Sequence, residues 1–223
     1  MTKFIPMPEA PRTASPTPWL TSIHATKRRG EYGSANYRGN CGGYLIKDLL
    51  RYYGAKSVLD PMTGSGTCQD VCKELKIPCT SFDVKSGFDA ANPNGYADLG
   101  QFDFIWTHPP YWKMIKYSDD PRCMSNAPTL GAFMQQMRRM IRNCRDSLTE
   151  KGKLAILIGG FSEKGRYQPL AQLTMAVAME EGLLPACTEI IRLQYGNTSS
   201  KRVYERSFIP GLHDTCMVFE NAR

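Results

Sequence analysis

Two short apolar runs, Ser57-Val58-Leu59 and Phe102-Asp103-Phe104-Ile105, each break into a loop of unusual composition. The first is followed by Asp60-Pro61-Met62-Thr63-Gly64-Ser65-Gly66-Thr67 and the second by Trp106-Thr107-His108-Pro109-Pro110-Tyr111-Trp112. Runs of this length and content read as buried strands. Loops that leave two parallel strands at the same end can build one site, because an open α/β sheet binds ligands outside the carboxyl ends of its strands, where the strand order reverses. The rest of the chain alternates in the way such a sheet requires. Helices are expected over residues 43–53, closed by Gly54, and over 68–75, 128–148 and 169–181. Strands are expected over 57–60, 79–83, 102–107, 154–160, 186–193 and 215–219. The 154–160 run is almost wholly apolar, as in a strand covered on both faces. The pattern predicts a doubly wound, mainly parallel α/β sheet.

Composition limits what such a sheet can serve. At 223 residues, 42% hydrophobic and 22% charged, the chain suits one well-buried domain, read as residues 19–223. Before it, Pro6, Pro8, Pro11, Pro16 and Pro18 make residues 1–18 an arm that cannot be regular helix. The formal charge of +7 favours a polyanionic partner. Eight cysteines without a C-x-x-C pair read as buried free thiols of a reducing cytoplasm, and with three histidines no metal is expected. No apolar run reaches signal-peptide or membrane-spanning length, so a soluble cytoplasmic protein without membrane contact is expected.

Gly64 and Gly66 alone would mark only a tight turn. Set between a strand and a helix, and followed by a second strand ending in Asp83, they point to a nucleotide-like cofactor. Asp83 is placed to accept hydrogen bonds from ribose hydroxyls, and Asp98 is a candidate neighbour of an adenine ring. No lysine follows the second glycine, so a Walker-type phosphate site is not supported.

The run His108-Pro109-Pro110-Tyr111 resembles the D/N/S-P-P-Y/F/W motif of S-adenosylmethionine-dependent DNA amino-methyltransferases, which act on adenine N6 or cytosine N4. The resemblance implies a class I methyltransferase: a Rossmann-like sheet of seven strands, the last antiparallel. It implies S-adenosylmethionine as cofactor, held by Asp60, Pro61, Thr63, Gly64, Gly66, Thr67, Asp83 and Asp98, with Tyr37 and Asn40 from a segment closing over the methionine end. His108, Pro109, Pro110 and Tyr111 would be the catalytic set. An exocyclic amine is a weak nucleophile because its lone pair is spread into the ring, so the site must hold its N–H bonds with acceptors, and the first motif side chain and the Pro109 carbonyl would be two. Tyr111 would give a flat face for a flipped base. His108 departs from the motif: only the neutral imidazole accepts, so activity is expected to fall as pH drops through about 6.5.

The resemblance covers roughly residues 35–220 and includes no separate target-recognition domain, so recognition is expected from loops, a second copy or a partner chain. DNA contacts are expected from Lys27, Arg28 and Arg29, from Trp112, Lys113 and Lys116 after the catalytic loop, and from Lys201, Arg202 and Arg206. Arg138, Arg139, Arg142 and Arg145 read instead as the solvated side of a helix. The expected reaction is methyl transfer to a base amino nitrogen in DNA, adenine N6 ahead of cytosine N4. The rivals are an RNA base methyltransferase, an enzyme methylating glutamine in release factors, and a nucleic-acid-binding regulator with the fold but little activity.

Overall fold

The computed structural model describes residues 7–194, 209 and 211–222. Residues 7–18 contain neither helix nor strand. The chain then runs β1 (Ile23–His24), α1 (Tyr44–Tyr53), β2 (Val58–Asp60), α2 (Thr67–Leu75), β3 (Cys79–Ser81), β4 (Phe102–Thr107), α3 (Leu130–Asp146) and β5 (Leu148–Ile158). A small antiparallel hairpin, β6 (Phe161–Glu163) and β7 (Arg166–Gln168), leads to α4 (Leu170–Glu180), β8 (Leu183–Pro185), β9 (Ile190–Leu193) and β10 (His213–Asn221).

The main sheet has the order β1-β9-β10-β5-β4-β2-β3, with β8 also paired to β10. Strands β3, β2, β4 and β5 are mutually parallel, and β10 runs antiparallel to β5, β8 and β9. The chain leaves β2 to one side for β3 and returns on the other side as β4. The order therefore reverses between β2 and β4, and the Gly-rich and Pro-Pro loops leave the sheet at that point.

Strand alternation sorts the core into two layers. Leu154, Ile156 and Ile158 of β5, with Met217 and Phe219 of β10, face the side covered by α3 and α4. Ala155 and Leu157, with Cys216 and Val218, face the side covered by α1 and α2. In β4 the parity breaks. Phe102 and Ile105 share one layer while Phe104 and Trp106 share the other, because the register with β5 shifts between Phe102 and Phe104.

Helix ends follow local chemistry. Gly54, at a φ of 62°, donates its N–H to the Arg51 and Leu50 carbonyls and stops α1 as expected. α3 begins two residues later than the apolar spacing indicated, since Thr129 caps it by accepting from the Ala132 N–H at 3.1 Å. Among the described residues the sheet holds eight strands rather than seven: the expected 186–193 strand is confined to β9, its first four residues lying outside any strand with Cys187 to Glu189 exposed, while β8 precedes it and β1 adds to the edge. The expectation of buried thiols fails at Cys187, which is exposed, and in part at Cys79, which is half-buried.

The arginines of α3 correct another expectation. Glu181, just past α4, is buried and accepts from Arg138 Nη1 at 2.9 Å and from Arg142 Nε at 2.8 Å, while its carbonyl accepts from Arg145 Nη1 at 2.6 Å. These side chains clamp α3 to α4 and are not simply a solvated face. Arg142, then Arg138, hold the Glu181 carboxyl below its ordinary pKa.

Candidate active site

The Gly-rich loop is built by exchange with the neighbouring strand end. Phe82 N–H donates to the Asp60 carbonyl at 2.9 Å, and Thr63 N–H donates to the Phe82 carbonyl at 2.8 Å. Gly64 and Gly66 take φ values of 54° and 86°, which side-chain-bearing residues rarely adopt. Asp83 Oδ2 accepts the Gly64 N–H at 3.0 Å, and Oδ1 accepts the Lys85 N–H at 3.0 Å. Both oxygens thus fix loop and turn, and each keeps a second lone pair for a ligand. Asp60 is almost entirely buried. That burial pushes its carboxyl well above the usual range, against the Met62 N–H that it accepts at 3.1 Å.

The segment before α1 packs directly on this loop. Gly33 N–H donates to Asp70 Oδ2 at 2.7 Å, and Thr67 Oγ1 donates to Asn40 Oδ1 at 2.5 Å. A side chain at Gly33 would lie 2.5 Å from both Ser65 Oγ and Thr67 Oγ1, so only glycine permits the approach. Tyr37 stacks on Tyr117 with ring centroids 5.9 Å apart and 18° between planes. Burial leads in raising both phenols to about 12.

One cavity receives both loops. From the sequence-selected cofactor set it is lined by Tyr37 and Asn40, by Asp60, Pro61, Thr63, Gly64 and Thr67, and by Asp83. Gly66 stands behind it as the left-handed N-cap of α2. Asp98 is exposed and does not line it. Asp89 does, in a turn where its Oδ1 accepts the Ala91 N–H at 2.9 Å. Between two acids in one loop, position along the chain did not distinguish them. Phe88, stacked on Phe82 at 4.3 Å between centroids, holds the nearer one at the cavity.

On the reaction side, His108 and Pro110 line the same cavity, and Pro109 is buried beside them. His108 Nε2 lies 3.1 Å from the Tyr111 hydroxyl. Behind this pair is a polar group that sequence reasoning missed. Asp214, 2% exposed, pairs with Arg192 Nη1 at 2.5 Å and accepts from Gln194 Nε2 at 2.6 Å. Asp214 and Arg192 face one another across the β9–β10 ladder, a pairing that only the register reveals. Burial first, then Asp214, raise the Tyr111 phenol well above its ordinary pKa. Burial lowers His108 to about 4, Asp214 opposing and Arg192 assisting. The neutral imidazole, the form that can accept a hydrogen bond, is therefore favoured below the ordinary histidine range.

The basic candidates divide. Lys27 and Arg28 are exposed, whereas Arg29 donates to the carbonyls of Gly30 and Tyr32 and serves the loop itself. Trp112 is not a surface contact: it is 6% exposed and donates Nε1–H to the Ala127 carbonyl at 2.9 Å. Its φ of 49° turns the ring into the core, and Lys113 lies 4.4 Å over that ring while pairing with Glu163 at 2.8 Å. Lys116 pairs with Asp119. Arg122, not selected from sequence, lines the cavity. Lys201, Arg202 and Arg206 lie outside the described residues. Cys68, Cys72 and Cys79 bring three sulfurs within 4.8 Å of one another, a convergence hidden by the lack of C-x-x-C spacing. No helix among the described residues is long and apolar enough to cross a membrane.

No protein-family model and no curated protein matches this sequence. Solved structures do. TrmN from Thermus thermophilus superposes with a TM-score of 0.53 at 18% identity over 84% of this chain, which spans 51% of TrmN. An S-adenosylmethionine-dependent methyltransferase from Clostridium acetobutylicum gives a TM-score of 0.49 at 9% identity, covering 85% of this chain and 94% of that one. An O-methyltransferase from a Brevibacillus brevis multienzyme, solved with S-adenosyl-L-homocysteine, gives 0.40 at 13% identity, covering 66% and 53%. The sheet order, the two loops at its reversal and the TrmN superposition together give this chain the class I S-adenosylmethionine-dependent methyltransferase fold.

Proposed function

We propose that the protein transfers a methyl group from S-adenosylmethionine to the exocyclic amino nitrogen of a nucleic-acid base, with adenine N6 of DNA the favoured acceptor. The observation that carries this reading is the meeting of the Gly-Ser-Gly loop and the His-Pro-Pro loop in one cavity. A nucleoside-bearing cofactor suits the residues present. Ser65 Oγ is buried without a hydrogen-bond partner among the described residues, and Asp83 retains acceptor capacity at the end of β3. Asp83 would take the ribose hydroxyls, Asp89 the region of the adenine, and Asn40 with Tyr37 the methionine end. The bound cofactor supplies an electrophilic sulfonium methyl. His108 and the Pro109 carbonyl would accept N–H bonds of the amine, fixing its lone pair toward that methyl, and alignment would give much of the acceleration. No covalent enzyme intermediate is required, and no cysteine is assigned a catalytic role.

The net charge of +7 supports a nucleic-acid partner, bound through loops of this domain. The test is transfer of labelled methyl to unmethylated DNA and to total RNA in parallel, followed by nucleoside digestion and mass analysis. N6-methyladenine or N4-methylcytosine from DNA supports the proposal and names the atom. Label confined to RNA moves the substrate, and cofactor binding without label in either points to a protein acceptor or a missing partner chain.

A further inference from the structure

The sulfurs of Cys68, Cys72 and Cys79 take no part in the proposed reaction. We propose that they form a structural metal site that binds one thiophilic cation, Zn²⁺ foremost, and pins α2 to β3 beneath the Gly-rich loop. Cys68 and Cys72 stand four residues apart in α2 and so share one face, one turn apart. Cys79 opens β3 after a link of three residues. In that link Lys76 takes a φ of 58° and Ile77 N–H donates to the Cys72 carbonyl at 2.9 Å, which turns the chain back and brings the third sulfur to the other two. All three Sγ atoms lie within 4.8 Å of one another. Thiolates held at about 2.3 Å around a tetrahedral Zn²⁺ stand about 3.8 Å apart, so an adjustment of about an ångström or less reaches ligating geometry. A disulfide does not account for the group. The Cβ atoms of a helical i, i+4 pair are about 5–6 Å apart, beyond the roughly 3.5–4.5 Å that a disulfide spans, and any bridge to Cys79 would leave one sulfur over.

The surroundings suit a bound cation. The group offers sulfur alone, which selects a soft ion over Mg²⁺ or Ca²⁺. As each sulfur–metal bond forms, the thiol releases its proton to solvent, and the negative charge left behind needs support. Cys68 is the second residue of α2, inside the first turn, where unpaired backbone N–H groups favour an anion. Ser81 Oγ lies 3.2 Å from Cys79 Sγ and can turn its hydroxyl proton toward the thiolate. Cys68 and Cys72 are buried and Cys79 is half-buried, so the ion has a dry seat and an entry on the Cys79 side, where a water can complete four-coordination. α2 begins at Thr67, the last residue of the Gly-rich loop, and β3 leads through Phe82 to Asp83. A cation shared by α2 and β3 therefore fixes both elements from which that loop hangs.

The site is tested on the whole protein, reduced and stripped with a chelator, by titration with Zn²⁺ against a competing indicator and with Cd²⁺ followed by ultraviolet absorption. The wild type is expected to bind one equivalent of either ion, and the Cd²⁺ complex to show a sulfur-to-metal band of the strength given by three thiolates. Free Zn²⁺ at about 100 times its Kd should raise the melting temperature by roughly 5–10 °C. Cys79→Ser, at the half-buried position, should weaken binding by at least about tenfold and abolish the thermal shift, and Cys72→Ala should do the same. Cys187→Ser, at the exposed thiol outside the group, should leave both unchanged. The wild-type stoichiometry and band need no variant, so the test survives a variant that fails to fold. Absence of a one-to-one complex in the wild type, a band worth fewer than three sulfurs, or binding unchanged in Cys79→Ser overturns the site. Every readout is taken without substrate or cofactor, so a failed metal site and a failed methylation assay are told apart.

Discussion

A histidine at the head of a Pro-Pro loop can accept a hydrogen bond only while its ring is neutral, and burial keeps His108 neutral down to about pH 4. The rate of methyl transfer is therefore expected to stay level from pH 8 to about 5.5 and to decline toward the lowered histidine value. A decline centred near pH 6.5 would show the ring to be solvated in the working enzyme. The same shift bears on stability. Between the unfolded value near 6.5 and the folded value near 4, the unfolded chain binds more protons, so stability should fall as pH drops through that window. His108→Asn should remove this part of the dependence, as read by thermal melts at a series of pH values. It should also keep an acceptor at the head of the loop, whereas His108→Ala should reduce kcat by on the order of 10²-fold.

Elements depend on contacts that do not show in their own residues. Removing the Glu181 carboxylate leaves Arg138 and Arg142 without their shared partner at the α3–α4 seam, so Glu181→Gln should lower the melting temperature by about 5 °C with transfer activity per folded molecule unchanged. The helices and the central strands were legible in the sequence because 3.6-residue and two-residue periods, with Gly54 as a stop, are local signals. The shortening of the 186–193 strand to Ile190–Leu193 and the separate strands β1 and β8 were not, since edge pairing is set by whichever backbone arrives from elsewhere. The site divides in the same way. The Gly64–Gly66 loop and His108 could be read as motifs, but Asp214 and Arg192 acquire meaning only when β10 lies between β9 and β5. Trp112 was misplaced because nothing local announces that a tryptophan next to lysine takes a left-handed φ and turns inward.

At the scale of the molecule, an excess of seven positive charges should make nucleic-acid binding strongly salt-dependent. Affinity for duplex DNA, measured by fluorescence anisotropy at several salt concentrations, should fall linearly on a double-logarithmic plot. Lys27→Ala with Arg28→Ala should flatten that slope by about 2 if both reach phosphates, while Arg29→Ala should act mainly through folding because its guanidinium holds its own loop. A slope that ignores all three would place the polyanion on another face. One further consequence belongs to the Tyr37–Tyr117 stack, which joins the segment over the cofactor loop to the segment after the reaction loop. Two rings that line one cavity and lean on each other tie the timing of events on its two sides. Cofactor exchange should then be slowest when the reaction loop is settled and faster in Tyr117→Ala, so that a spent cofactor would depart only after the modified base has let go.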